Sequence, residues 1–308
     1  MAGVTDMLQG FTIIAVVILV GFVVGRIGLL GPAARPVIAR LTFFVLAPSL
    51  LFTIMLEADV ADLVSPLVGA SVAAALGAFG LYSLVARLVW RRRVADTVVG
   101  ALGAGYVNAN NIGLPVAGYV LGDATLMAPV ILVQLLVFSP VALTLLDAST
   151  SGVVTLRRVL AQPVRNPIII ASAAGLALSV LGVDLPDAAV EPFRIVGGGA
   201  VPLMLIAFGI SLAGQRILEP GAQRRDAILA SSIKLLVMPA LALLVGTVLG
   251  LHGHDLFVVV TLAALPTAQN VFNYAQRYDA AEVLARDTIA VTTLGALPVL
   301  MVVAATLH

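Results

Sequence analysis

Asn108, Asn110, Asn111, Gly113 and Pro115 crowd into the run Gly103-Ala-Gly-Tyr-Val-Asn-Ala-Asn-Asn-Ile-Gly-Leu-Pro-Val-Ala-Gly118. Carboxamides at this density offer neutral hydrogen-bond donors and acceptors. Proline removes a backbone donor and clashes with the turn before it, so a helix running through this stretch must break. A break leaves free N–H groups and a partial positive charge at the restarting half-helix, a setting suited to a carboxylate. The chemistry on offer is therefore recognition of an anion rather than bond making. The same grammar recurs in Ala264-Leu-Pro-Thr-Ala-Gln-Asn270, which supplies Pro266, Thr267, Gln269 and Asn270. Gln134 stands alone among Leu and Val; it either reaches such a site or bonds between helices. Asn273 and Tyr274, one turn past the second break, read as lining of a pathway. The structural alternative is that the asparagines only cap broken ends or hold helices together. Recurrence of a break with clustered amides favours function.

Both clusters sit inside apolar segments. Of the 308 residues 61% are hydrophobic and 11% charged, with mean hydropathy +1.12. Soluble domains are nearer half apolar and a quarter charged, so a water-soluble fold is excluded. Hydropathy predicts ten spans near 7–25, 36–56, 64–89, 95–121, 124–147, 167–183, 190–214, 227–251, 255–276 and 283–306. The first run lacks a basic leader region and reads as a retained helix, not a cleaved signal. In the fourth span about 20 Å of helix at ~1.5 Å per residue precedes Asn108, which puts the break near mid-membrane. Polar interruptions at that depth are tolerated only where protein or water surrounds them, as at the sites of secondary transporters.

Charge placement sets the orientation. With ten spans, fifteen of the seventeen Lys and Arg residues fall on one side, Arg194 and Lys234 being the exceptions. The opposite loops carry Asp59, Asp62, Asp123, Asp184, Asp187, Glu191 and Asp255. An excess of Lys and Arg marks the cytoplasm, so both termini are expected outside it. Lys234 lies about two turns into the eighth span; the favoured reading is that its stem lets the ammonium snorkel to the interface, with a counter-ion role as the alternative. Arg286 and Asp287 open the tenth span and are expected at the interface. Acidic residues are missing from the deep parts of the spans, so a buried carboxylate relay has no evident carrier.

The halves repeat. Pro48 and Pro202 mark spans two and seven, Pro140 and Pro298 spans five and ten, and the two breaks fall in spans four and nine. Five spans is an odd number, so the second half enters from the opposite side and the repeat is inverted. The expected division is a first repeat over 1–147, a cytoplasmic linker over 148–166 and a second repeat over 167–308. Gly21 and Gly25 form a GxxxG read as close helix packing. The chain has no cysteine, and HExxH, GxSxG and Walker patterns do not occur. An enzyme is therefore not expected. His252 and His254 read as a solvated turn, and no metal site or cofactor is expected.

The run Asn108-Ala-Asn-Asn-Ile-Gly-Leu-Pro115, the run Ala264 to Asn270 ending in Ala275-Gln-Arg-Tyr278, and the Pro48 and Pro202 spans together resemble the auxin efflux carrier family. Its bacterial members are similar to malonate and malate permeases, and plant PIN auxin carriers are relatives. The resemblance covers essentially the whole chain. It implies an all-α polytopic membrane protein of ten transmembrane helices, a 5 + 5 inverted repeat with two crossed broken helices. This fold is shared with bile-acid sodium symporters and NhaA-like antiporters. It further implies a scaffold of spans 1, 2, 6 and 7 and a moving core of spans 3–5 and 8–10. By motif position the ligand role falls on Asn110 or Asn111, and Gln134 matches a polar, substrate-facing place. The chain departs from some relatives in carrying Thr267 where they have a second proline.

The expected function is secondary active transport of small organic anions, mono- or dicarboxylates, by alternating access, as a permease or efflux carrier of the cell (inner) membrane. A sodium-coupled symporter is the alternative within transport, and a non-transporting receptor or scaffold the alternative outside it. The expected partners are a small carboxylate and the lipid bilayer, with a homodimer left open and no nucleic acid.

Overall fold

The computed structural model describes residues 2–31, 33–57, 65–150, 166–213, 218, 221 and 223–307. Long apolar runs without strand-like alternation fold as helix. Among the described residues there is no strand, only an isolated antiparallel bridge between Val107 and Thr267. In chain order the helices are α1 (Ala2–Ile27), α2 (Pro36–Glu57), α3 (Pro66–Val89), α4 (Val94–Gly105), α5 (Leu114–Tyr119) and α6 (Ala124–Thr150). They continue as α7 (Pro167–Val180), α8 (Asp187–Leu212), α9 (Arg224–Val248), α10 (Gly253–Ala264), α11 (Asn270–Tyr278) and α12 (Glu282–Leu307).

Six of them, α2, α3, α6, α8, α9 and α12, are long and apolar enough to cross a membrane. Shorter apolar helices cover Thr12–Ile27, Val94–Gly105, Pro167–Val180 and Gly253–Ala264. The segments expected to break do so: α4 and α5 share the fourth, α10 and α11 the ninth. Most of the expected linker over 148–166 lies outside the described residues, as do Asp59, Asp62, Arg157, Arg158, Arg165 and Arg216. At its end, the Asn166 side chain accepts from the Ile168 N–H at 2.9 Å and Pro167 takes the first turn of α7. That is the start a helix favours, since an early proline gives up a donor with no intrahelical partner.

Three prolines inside the long helices are accommodated in the same way. A wide turn with i→i+5 bonding ends two residues before Pro48 in α2, Pro140 in α6 and Pro239 in α9; the turns cover Thr42–Leu46, Gln134–Phe138 and Ile233–Val237. A fourth, Ala109–Gly113, precedes Pro115. Widening the turn eases the clash of the ring with the carbonyl four residues back and re-aims the side chains it carries.

The helices group into two units, each drawing on both halves of the chain. The first holds α1, α2, the segment Asn110–Leu135, α7 and α8; the second holds α3, α4, α6 from Leu136 on, and α9 to α12. The grouping follows the expected division of scaffold from core except that Asn110–Leu135 joins the scaffold helices.

Within the first unit, helices meet backbone to backbone at glycine. A Cβ on Gly21 of α1 would fall 2.3 Å from the Ile206 carbonyl oxygen of α8, and one on Gly175 of α7 2.4 Å from that of Phe52 in α2. Gly21 and Gly175 are 154 residues apart, as are Phe52 and Ile206, and Pro48 and Pro202. One contact therefore becomes the other when the halves exchange places. Small residues at such crossings let backbones approach closely, the usual source of attraction between helices in lipid. In the second unit α4 plays the thin partner. Gly100 leaves room for the Tyr82 ring, Gly105 for Phe79, and Gly103 lies against Thr288 of α12 and Ala230 of α9.

Candidate functional site

The second unit contains the place where the two helix breaks meet, the crossing for short. After Gly105 and after Ala264 each chain leaves the helix and runs extended for a few residues. The two stretches pair antiparallel. Asn108 N–H donates to the Pro266 carbonyl at 2.8 Å, and Ala268 N–H to the Tyr106 carbonyl at 3.0 Å. A shift of 160 residues carries Tyr106, Val107 and Asn108 onto Pro266, Thr267 and Ala268, so each bond maps onto the other under that shift. Buried backbone polar groups need partners, and here the two breaks supply them to one another.

The carbonyls orphaned upstream are taken by side chains. In an unbroken helix the Gly103 carbonyl would accept from Val107 and the Ala263 carbonyl from Thr267. Instead the Thr267 hydroxyl donates to the Gly103 carbonyl at 2.6 Å, and the Lys234 ammonium to the Ala263 carbonyl at 2.6 Å. Gly103 and Ala263 are also 160 residues apart. The Thr267 N–H, displaced from its helical partner, donates to Thr292 Oγ1 at 3.1 Å. That hydroxyl donates in turn to the Thr288 carbonyl at 2.7 Å, tying the crossing to α12. Both Thr267 and Thr292 are fully buried.

A hydroxyl cluster adjoins the crossing. Tyr106 and Ser139 share a hydrogen bond of 2.8 Å, and the Tyr274 hydroxyl donates to Ser139 Oγ at 3.1 Å. One turn along α11, the Tyr278 hydroxyl donates to Asp147 at 2.7 Å. These bonds fix α11 against α6. Sequence reasoning placed Tyr274 on a pathway but missed Tyr106, Ser139 and Thr292. The available signals were Tyr106 inside the interrupted run, Ser139 next to a span proline, and Thr288 and Thr292 one turn apart on α12.

The expected site residues divide between the units. Asn108, Pro266, Thr267, Gln269 and Asn270 belong to the second. Asn108, Pro266 and Thr267 are buried in the crossing, and Gln269 and Asn270 are half-buried at the start of α11. Gln269 is the N-cap of α11 but makes no side-chain capping bond. The N–H groups of Val271, Phe272 and Asn273 already bond the carbonyls of Ala268 and Gln269. The supply of free donors at this half-helix is thus smaller than the sequence suggested. Asn110, Asn111, Gly113, Pro115 and Gln134 belong to the first unit. Asn110 and Asn111 are half-buried in the wide turn before α5, and Gly113 and Pro115 are buried. Gln134 opens the wide turn of α6 and is buried. Asn110 Oδ1 and Gln134 Oε1 are buried with no hydrogen-bond partner among the described residues. A carboxamide turns end for end at little cost, so such an amide can present a donor or an acceptor.

Four charged residues depart from expectation or were missed. Lys234 does not snorkel: it is 0% exposed, held in the wide turn of α9, with Met238 Sδ as its second contact at 3.1 Å. Asp287 is 1% exposed rather than interfacial, and bonds the half-exposed Arg286 at 2.9 Å. The two-pronged pairing of Arg92 with the buried Asp226, at 3.0 and 2.7 Å, which ties the loop after α3 to the start of α9, was not foreseen. Among the described residues no cluster of His, Asp and Glu is arranged to hold a metal.

The family model described as "Membrane transport protein" matches residues 7–304. An uncharacterized transporter of Methanothermobacter thermautotrophicus is 28% identical over 258 residues, 83% of this chain and 83% of the relative. The uncharacterized transporter YfdV of Escherichia coli K12 is 26% identical over 225 residues, 70% of this chain and 68% of its own, and that of Shigella flexneri matches equally well. The chain is thus a multi-pass membrane protein of the membrane transport protein family, the auxin efflux carrier family that its motifs resemble.

Proposed function

We propose that this protein is a secondary active transporter of small organic anions, mono- or dicarboxylates, working by alternating access. The observation that carries the reading is the crossing of α4 and α10, where two interrupted helices pair across buried extended backbone. Such an interruption is costly in lipid and is the hallmark of a transport site. The amides of Asn108, Gln269 and Asn270 adjoin it and can donate to a carboxylate without the desolvation cost of a buried cation. By motif position Asn110 or Asn111 shares the ligand role, with Gly113, Pro115 and Gln134 as further candidates. Pro266 and Thr267 shape the crossing.

Ten spans in a five-plus-five inverted repeat, 1–147 and 167–308 joined through 148–166, complete the proposal. Two independent registers support it: the 154-residue shift relating Gly21–Ile206 to Gly175–Phe52, and the 160-residue shift relating the two bonds of the crossing. With basic residues on the cytoplasmic side, the protein sits in the inner membrane with both termini outside the cytoplasm. The test is uptake into proteoliposomes with a panel of labelled mono- and dicarboxylates beside neutral and cationic controls. Uptake confined to carboxylates is expected; uptake of none of them removes the reading.

A further inference from the structure

Half-helix C-termini carry about half a negative charge in unsatisfied carbonyls. Where broken helices cross in transporters, such carbonyls are the usual seat of a coupling Na⁺. The crossing here has two equivalent carbonyls by the 160-residue register, Gly103 and Ala263, and they are treated differently. Gly103 receives a neutral hydroxyl, Ala263 an ammonium. Lys234 is fully buried and in the wide turn of α9, a geometry that re-aims a side chain inward. Its two recorded contacts are the Ala263 carbonyl and the Met238 sulfur, neither of them an anion. A buried ammonium is costly unless negative charge compensates it, and the C-terminus of α10 supplies that charge.

Building on the transport reading, we propose that the Lys234 ammonium is the resident cation of the crossing, tethered where a coupling Na⁺ would otherwise bind the end of α10. The protein then carries its counter-charge through the transport cycle and needs no sodium. Removing the charge creates a vacancy that a small monovalent cation fills.

The experiment compares wild type, Lys234→Met and Lys234→Gln in sodium and in choline chloride of equal ionic strength. Melting of the purified protein is read without substrate, and carboxylate exchange is read in proteoliposomes. The wild type is expected to melt and exchange alike in both salts. Both variants should melt several degrees lower in choline and regain part of the loss with sodium, saturably. Glutamine should behave like methionine, because its amide can donate the bond without supplying the charge. Sodium stabilisation of the wild type overturns the proposal. So does a glutamine variant equal to wild type in choline, which makes the bond rather than the charge the essential feature. Equal loss in both salts, or failure of both variants to fold when purified in sodium, shows a packing role and also overturns it. Because melting needs no substrate, these outcomes stand even if the wild type exchanges no carboxylate, the result that removes the transport reading instead.

Discussion

Replacing Thr267 by valine isolates one bond of the crossing. Valine keeps the shape of threonine, so packing around this fully buried side chain is retained. The change deletes the 2.6 Å bond to the Gly103 carbonyl and leaves that carbonyl without its donor inside the bundle. An orphaned buried acceptor costs about 1–3 kcal/mol. At roughly 2–4 °C per kcal/mol, melting should fall by roughly 2–12 °C. Thr292→Val removes the acceptor of the Thr267 N–H and should cost a similar amount. The two act on one residue, so their costs should not add; a coupling of about 0.5–3 kcal/mol is expected. Thr306→Val, which removes a hydroxyl bonded to its own helix near the end of α12, is the control. The assay is thermal unfolding of the four proteins in one detergent, completed by the double variant. Wild-type melting of Thr267→Val, or an equal fall in the Thr306 control, refutes the claim that side chains hold the breaks closed.

Asn110→Asp and Asn111→Asp should impair anion binding more than the alanine variants at one position at least. Like charges ~4 Å apart at an effective dielectric of ~20 repel by about 4 kcal/mol, against roughly 1.5–3 kcal/mol for a lost bond to a charged group. Titration calorimetry with the transported carboxylate checks this, and normal affinity in all four variants removes both residues from the site. Gly21→Ala and Gly175→Ala should destabilise to a similar extent, since each Cβ would land within 2.4 Å of a carbonyl oxygen of the facing helix. Unequal melting losses count against the inverted repeat. Because the chain has no cysteine, Arg91→Cys and His254→Cys give clean single labels. The first should react with an impermeant maleimide only from the cytoplasm and the second only from outside; labelling from one side sinks the topology.

The sequence announced the breaks because proline, glycine and asparagine carry backbone consequences wherever they stand. Pro115 and Pro266 could be placed without knowing a single contact, and the Gly21–Gly25 spacing foretold close packing. Pairings between distant segments were another matter. Arg92 meets Asp226 across 134 positions, and Tyr106 meets Ser139 and Tyr274 through side chains that hydropathy treats as ordinary span residues. Lys234 was misread for a related reason. Its depth along the helix was right, but it stands in the wide turn that ends two residues before Pro239, and the effect of that proline on the turn ahead of it was not read. Thr267 was placed at the break correctly, while its double duty toward Gly103 and Thr292 emerges only when three helices are seen together.

Counterflow tests the central claim most directly. Proteoliposomes loaded with a millimolar unlabelled dicarboxylate are diluted into a trace of the same compound carrying label, with no ion gradient present. An alternating-access carrier with its site at the crossing returns from each outward trip with labelled substrate, so label should accumulate above equilibrium and then decay. Asn270→Asp, beside the crossing, should abolish the overshoot while the protein stays folded. Label that only rises to equilibrium, with wild type and variant alike, describes a leak or a channel and contradicts the account.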